Sequence, residues 1–505
     1  MSQIPRRNSL VAGMLDRIER WGNKLPHPFN LFLLFALGVL IFSWIAHALG
    51  VSVAHPVTGQ PIVAVNLLDR QGIQNIITKA VANFTGFAPL GTVLVAMIGV
   101  GVAERSGLFA AALRGFVGSV PRWLITAALV FAGVSASLTV DAGYVILVPL
   151  GAVLFAQVGR HPIAGLAAAF AGVSGGFSAN LFLTPVDPLL AGLTQEAARL
   201  YDKSHVVPAT ANYYFMVGST FLLTAIGTGV TNWIVEPRLG SYQAPHEQES
   251  SGLGAAERRG LTVAGFTVLF EIILLMLLIL PENALLRDAK GDLQPFFQGM
   301  VVLMAVGFLL PAVGYGLAAG TIKSNRDVGR MIDETLGTMG SYIALAFAAS
   351  QFVAYFAWSH LGLILAVTGA DILRASGLSG ISLILLFVFV CAAINLFVAS
   401  ASAKWAVVGP IFVPMLMIMG YSPEVTQGAF RIGDSFTNII TPLMPYMPLV
   451  IAFAQKYQPR IGLGTLMTLM LPYSVAFAIG WTIFLGLWLL LGIPLGPGSG
   501  MIYPR

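Results

Sequence analysis

Apolar residues recur along the chain in runs of about 20, the length a helix needs to cross a bilayer, with short polar islands between them. Seven runs are plain, at 29–49, 88–103, 212–235, 261–280, 296–321, 335–358 and 463–491. Four other stretches are interrupted. At 124–158 and 381–420 small and polar residues cut the run midway, SASLTVD at 135–141 and ASASAK at 399–404, and each predicts a re-entrant hairpin. At 163–199 and 424–457 the run is long enough to span but carries NLFLTPVDP at 180–188 and NIITPLMP at 438–445. Proline lacks the N–H and clashes with the preceding turn, so both helices break there. Unwound backbone at membrane depth survives only inside protein or beside a water-filled cavity, so the breaks point at a site. Seven plain spans, two stretches with broken helices and two hairpins point to an all-α polytopic membrane protein of about nine transmembrane helices plus two re-entrant helical hairpins. The short segment 361–376, with Asp371 and Arg374, reads as interfacial.

Composition sharpens this picture. Of 505 residues 57% are hydrophobic and 10% charged, against about 25% charged in a soluble domain, which excludes a cytosolic globular protein. The net charge of +5 is no sign of nucleic-acid binding, because in so apolar a chain basic residues mark cytoplasmic loops. Islands 1–28, 104–122, 159–162, 236–260, 321–334 and 456–462 hold 17 of the 27 Lys and Arg, the opposite loops hold eight, and Lys404 and Arg431 are embedded. The bias puts the amino terminus in the cytoplasm. The first run is too long for a signal-peptide core and stays as a span, and the single Cys391 excludes an intrachain disulfide. The chain divides into a tail (1–28), a first half (29–235), a cytoplasmic linker (236–260) and a second half (261–505).

The halves resemble each other. SLTVDAGYVILVP at 137–149 and SAKWAVVGPIFVP at 402–414 share the serine and the closing Val-Pro, and each precedes a broken helix containing Asn, Thr and Pro in that order. Five crossings separate the hairpins, an odd number, so the repeat is inverted in the membrane. Inverted repeats with discontinuous helices meeting at the midplane are the layout of many secondary transporters.

Asp141, Asp187 and Asp434 lie beside the breaks in apolar surroundings, where a carboxylate is expensive and by default functional. A plainer role is capping a half-helix N-terminus. Asn395, Asp434, Asn438 and Thr441 could gather oxygens around a sodium ion, no other cofactor being implied; the matching first-repeat set is Ser137, Asn180 and Thr184. Equally, these side chains could satisfy backbone groups freed by the prolines. Trp405 and Arg431 offer an aromatic face and a fixed positive fork, suited to an aromatic ligand bearing carboxylates. The competing roles are ordinary packing for Trp405 and a pair with Asp434, three residues on, for Arg431. Glu271 reads as an inter-helix or subunit contact.

Three motifs, SANLFLTPVDPLL at 178–190, NLFVASASAKW at 395–405 and RIGDSFTNIITP at 431–442, resemble the AbgT family of p-aminobenzoyl-glutamate transporters. The resemblance implies a homodimer in the bacterial inner membrane, with an inner transport core and an outer dimerisation frame. It also implies transport of p-aminobenzoyl-glutamate and, in some members, efflux of sulfonamides. The family's functional positions fall on Asp187, Ser402, Trp405, Pro423, Arg431, Asp434 and Pro442. A sodium-coupled di- or tricarboxylate symporter shares the hairpin plan but tends to carry Ser-Asn-Thr at its tips, absent here. An intramembrane serine protease is suggested by GVSG at 172–175, yet His47 and His360 lie at span ends and leave no base for the nucleophile. An aspartyl counterpart at Gly433-Asp434 lacks the glycine two residues earlier, where Arg431 stands.

Overall fold

The computed structural model describes residues 28–54, 59–138, 143–240, 253–377, 380–398, 400–441 and 443–503. Asp141, Pro442, the tail at 1–27 and linker residues 241–252 lie outside them. The seven plain runs form helices Pro28–Ala48, Ala88–Arg105, Tyr213–Val230, Ala255–Ile279, Met300–Ala319, Gly340–Trp358 and Leu463–Leu490. Helix Ala255–Ile279 leaves Phe266, Phe270 and Leu277 exposed, as a helix bathed in lipid requires. Three helices depart from the sequence reading. An amphipathic helix, Arg70–Thr85, precedes Ala88–Arg105 and is capped by Asp69. Leu108–Gly118 lies within the island 104–122 and turns by 117° into the first hairpin. Segment 361–376 is a helix, Leu361–Ala375, packed on the second hairpin and tied by Arg374 Nη2 to the Ile418 carbonyl at 3.0 Å.

The first hairpin runs Ile125–Ser135 and returns as Val148–Gln157; the second runs Ile381–Asn395 and Ala401–Ile418. Each broken helix begins where a proline occupies the first turn: Pro162–Phe170, extended by a wide turn Ala171–Gly175, and Pro423–Phe436. The missing N–H costs nothing at that position. After unwinding, the chain resumes as Val186–Ala198 and Met447–Gln455.

Packing obeys the internal symmetry. The first half of each broken helix wedges between the two limbs of its own hairpin, and the returning limb of each hairpin touches the second half of the other repeat's broken helix. Tyr144 of the first repeat stacks on Tyr446 of the second with ring centroids 4.1 Å apart. Glycine permits the closest approaches, as small residues do where membrane helices meet. A Cβ on Gly165 would sit 2.1 Å from the Gly151 carbonyl oxygen, and one on Gly433 2.3 Å from that of Val388.

Ion pairs sort the islands as the charge bias does. Arg105 holds Glu334 at 2.7 Å, Arg114 holds Glu257 and Arg160 holds Glu236, all among islands assigned to the cytoplasmic face. On the opposite side His205 meets Glu424 at 3.1 Å and the Tyr503 hydroxyl donates to Asp202 at 2.8 Å.

Candidate functional site

The two breaks face one another, and each leaves backbone groups that need partners. At the first, Ser178 N donates to Ser435 Oγ at 3.2 Å and the Ser178 carbonyl accepts from Arg431 Nη2 at 2.9 Å. Groups freed in one repeat are thus satisfied by the other. Asn180 Oδ1 accepts from Ser137 Oγ at 2.7 Å, joining break to hairpin. Asp187, in the first turn of Val186–Ala198, accepts from Thr184 N at 2.6 Å and Thr184 Oγ1 at 2.8 Å through one oxygen. Its other oxygen takes Arg431 Nη1 at 2.6 Å. One carboxylate therefore ties the unwound Thr184 to the resumed helix and pairs with a charge of the other repeat.

That bond corrects an expectation. Arg431 pairs with Asp187 across the repeats rather than with Asp434 on its own helix. Three residues turn a helix through about 300°, so Arg431 and Asp434 diverge by roughly 60° and meet different neighbours. The guanidinium is buried, and its Nε has no acceptor among the described residues.

Asp434 points instead at Lys404, which the sequence marks as embedded without assigning it a partner. Lys404 Nζ contacts Asp434 Oδ1 and Asn395 Oδ1, and both charged residues are at most 2% exposed. Asn395 Nδ2 donates to the Asp434 carbonyl at 2.6 Å, Thr437 Oγ1 at 2.7 Å and Asn438 Oδ1 at 2.9 Å. The sequence reading brings Asn395, Asp434 and Asn438 together correctly and misses the ammonium among them. Thr441 Oγ1 lies apart, on the Leu396 carbonyl at 3.3 Å. The cost of a buried lysine was the signal that could have found it.

Trp405 is fully buried, stacked on Phe430 at 4.4 Å, with Nε1 donating to Thr194 Oγ1 at 2.8 Å. From Thr194 a polar chain continues to Gln427 at 2.6 Å and on to Asn212 at 2.9 Å. Ser402 is half-buried, its Oγ 3.3 Å from that of Ser400, the residue that caps Ala401–Ile418. Pro423 opens its helix two turns before Arg431. Beside the first break, Phe109, Phe116, Phe131, Leu181 and Phe182 line an apolar cavity of about 190 Å³.

Paired hairpins, paired broken helices and charges buried at their meeting point define a membrane transporter of small molecules, not an enzyme. Residues 13–503 match the model of the AbgT putative transporter family, and the chain belongs to it. It is 40% identical to the p-aminobenzoyl-glutamate transport protein of Escherichia coli (strain K12) over all of this chain and 99% of that one. Among solved structures it is similar to the Alcanivorax borkumensis YdaH transporter, with 47% identity and a TM-score of 0.90 over 94% of this chain and 100% of the other. Neisseria gonorrhoeae MtrF, described as illuminating a class of antimetabolite efflux pumps, is 46% identical with a TM-score of 0.91 over 96% and 100%.

Proposed function

We propose that the chain is an ion-coupled secondary transporter of p-aminobenzoyl-glutamate and related folate-pathway compounds, including sulfonamide antimetabolites that it exports. It works as a homodimer in the bacterial inner membrane with its amino terminus in the cytoplasm. The observation that carries this reading is the Arg431–Asp187 pair at 2.6 Å, a guanidinium of one repeat held by a carboxylate of the other. A ligand carboxylate can take Asp187's place on Arg431 and engage the spare Nε, forming the bidentate contact that guanidinium favours. The exchange loosens a tie between repeats as substrate binds, which is what alternating access about a fixed midplane site requires. Trp405 and the apolar cavity beside Phe182 are candidates for the aminobenzoyl ring, Trp405 only after it parts from Phe430. The names of the Escherichia coli and Neisseria relatives support the choice of substrate.

Counter-flow in proteoliposomes tests it, with p-aminobenzoyl-glutamate, a sulfonamide and succinate offered under separate sodium and proton gradients. Exchange of p-aminobenzoyl-glutamate above empty liposomes is expected. Exchange of succinate alone would move the assignment to a dicarboxylate symporter.

A further inference from the structure

The oxygens of Asn395, Asp434 and Asn438 are the set that would hold a sodium ion, and their arrangement can be tested against that role. The Asn395 amide has a determined orientation. Its Nδ2 faces three acceptors, the Asp434 carbonyl, Thr437 Oγ1 and Asn438 Oδ1, all within 2.9 Å. Asn395 Oδ1 is therefore turned the other way, toward Asp434 Oδ1. That carboxylate oxygen is buried, and its partner is the Lys404 ammonium. Two oxygens converging on one point, one of them charged, is how a protein coordinates a cation. The point is taken by Lys404 Nζ.

The lysine reaches it by construction. Ser400 caps the helix Ala401–Ile418, its Oγ accepting from Ala403 N at 3.3 Å and its carbonyl from Lys404 N at 3.0 Å. This puts Lys404 in the first helical turn. A positive charge at a helix N-terminus opposes the helix dipole, so this position needs a nearby anion, and Asp434 supplies it. The close approach at Gly433, which no side chain could occupy against the Val388 carbonyl, holds Asp434 beside Asn395. A free monovalent ion does not fit beside an ammonium already lying on both oxygens.

We propose that Lys404 is a tethered cation, its ammonium occupying on Asn395 Oδ1 and Asp434 Oδ1 the place of a free sodium ion, so that removing the lysine's charge turns this position into a sodium site. The inference concerns one position and holds whatever substrate the chain carries. It removes this site, and only this site, from the places where a coupling sodium ion can bind. Ser137, Asn180 and Thr184, the matching first-repeat set, contain no lysine.

The test compares the full chain in detergent in sodium chloride and in choline chloride at equal ionic strength, for the parent, Lys404→Arg and Lys404→Ala. The readouts are melting temperature and binding of radiolabelled sodium. Parent and Lys404→Arg should respond to sodium alike, any response coming from sites elsewhere and surviving Asp434→Asn. Lys404→Ala should melt lower in choline, then recover by about 1 °C or more per tenfold rise in sodium above its dissociation constant, as a ligand specific to the folded state requires. It should also bind labelled sodium at one more site per chain than the parent; that difference excludes sites elsewhere. Sodium-dependent melting of the parent that Asp434→Asn abolishes overturns the proposal. So does a Lys404→Ala protein with no sodium response, or one that stays aggregated in high sodium while Lys404→Arg is soluble. None of these readouts depends on transport, so a failed counter-flow assay leaves the inference standing.

Discussion

The two repeats bury their charges differently. In the first, Asp187 is met by Arg431 from the other repeat at 2.6 Å; in the second, Asp434 is met by Lys404 of its own hairpin. A pair inside one repeat can travel with it as a rigid unit. A pair between repeats must stretch or exchange partners whenever the repeats move against each other. The first is therefore suited to report substrate, and the second to hold its repeat together. Local geometry agrees. Lys404 and Asp434 are enclosed by amide and hydroxyl groups of Asn395, Thr437 and Asn438, whereas Arg431 keeps an unused donor at Nε.

The largest effect expected is structural and belongs to the second repeat. Asp434→Ala leaves a buried ammonium unpaired and should lower stability by about 3–5 kcal/mol. Replacing both partners by apolar residues, Lys404→Met with Asp434→Leu, should recover most of the loss, because the uncompensated charge is gone. Denaturation of the purified protein in detergent measures both. A double variant as unstable as the single one would mean that the loss comes from the missing pair itself and not from the stranded charge.

Next in size is a functional loss in the first repeat. Asp187→Asn keeps the shape and one acceptor oxygen where the carboxylate uses two, so its NH2 faces either Arg431 Nη1 or the Thr184 donors, and the charge is gone. Transport of p-aminobenzoyl-glutamate should fall by roughly 10- to 100-fold, the worth of a charge-assisted hydrogen bond, with a smaller loss of stability than in Asp434→Ala. Arg431→Lys replaces a fork by a point charge. It should weaken p-aminobenzoyl-glutamate far more than a neutral sulfonamide, and equal losses for the two would reject carboxylate recognition by Arg431.

Much of this contrast was legible in the chain. Apolar run length gave the spans within a few residues, and Pro185 and Pro445 mark the unwound segments between the halves of the broken helices. Partners were harder to read. Helical spacing suggests Arg431 with Asp434, yet the 60° between them is enough to aim one at each repeat, and only the packing of distant segments decides which. Helix Arg70–Thr85 escaped notice because its polar face hides it from an apolar-run criterion. Leu361–Ala375 is short and charged at its end, and run length does not disclose that its apolar face, Ala366, Val367 and Ala370, is buried against Met415 and Ile418 of the second hairpin.

Trp405 gives a smaller test of the same contrast. Trp405→Phe keeps an aromatic ring against Phe430 and loses the hydrogen bond to Thr194, which should cost about 1 kcal/mol of stability. If the indole face also serves the ligand, affinity should fall equally for p-aminobenzoyl-glutamate and a sulfonamide, unlike the split expected of Arg431→Lys. Unchanged affinity for both would confine Trp405 to packing.

The smallest effect concerns a second tie between repeats, outside the spans. His205, in the loop after the first broken helix, lies 3.1 Å from Glu424, in the first turn of the second. The hydrogen bond to Glu424 raises the pKa of His205 above its ordinary value of 6.5, aided by the charges of Glu424 and Asp202 and opposed by burial. The Tyr503 ring packs against it at 5.9 Å. A histidine whose folded pKa is raised contributes its full stabilisation below the unfolded value and loses it as pH rises through the folded one. The melting temperature of the parent should therefore decline as pH rises from about 6 to 8, and His205→Gln should flatten that decline. Glu424 is buried but a fifth of the histidine side chain is exposed, so solvent screens the pair from one side and the contribution stays at about 1 kcal/mol, or about 1 °C in a chain this long. An inter-repeat tie this weak can open in every transport cycle at little cost. The decline with pH should accordingly appear in stability while leaving the relative affinities for charged and neutral ligands untouched; a pH-dependent change in that ratio that disappears in His205→Gln would instead link the outer tie to the Arg431 site.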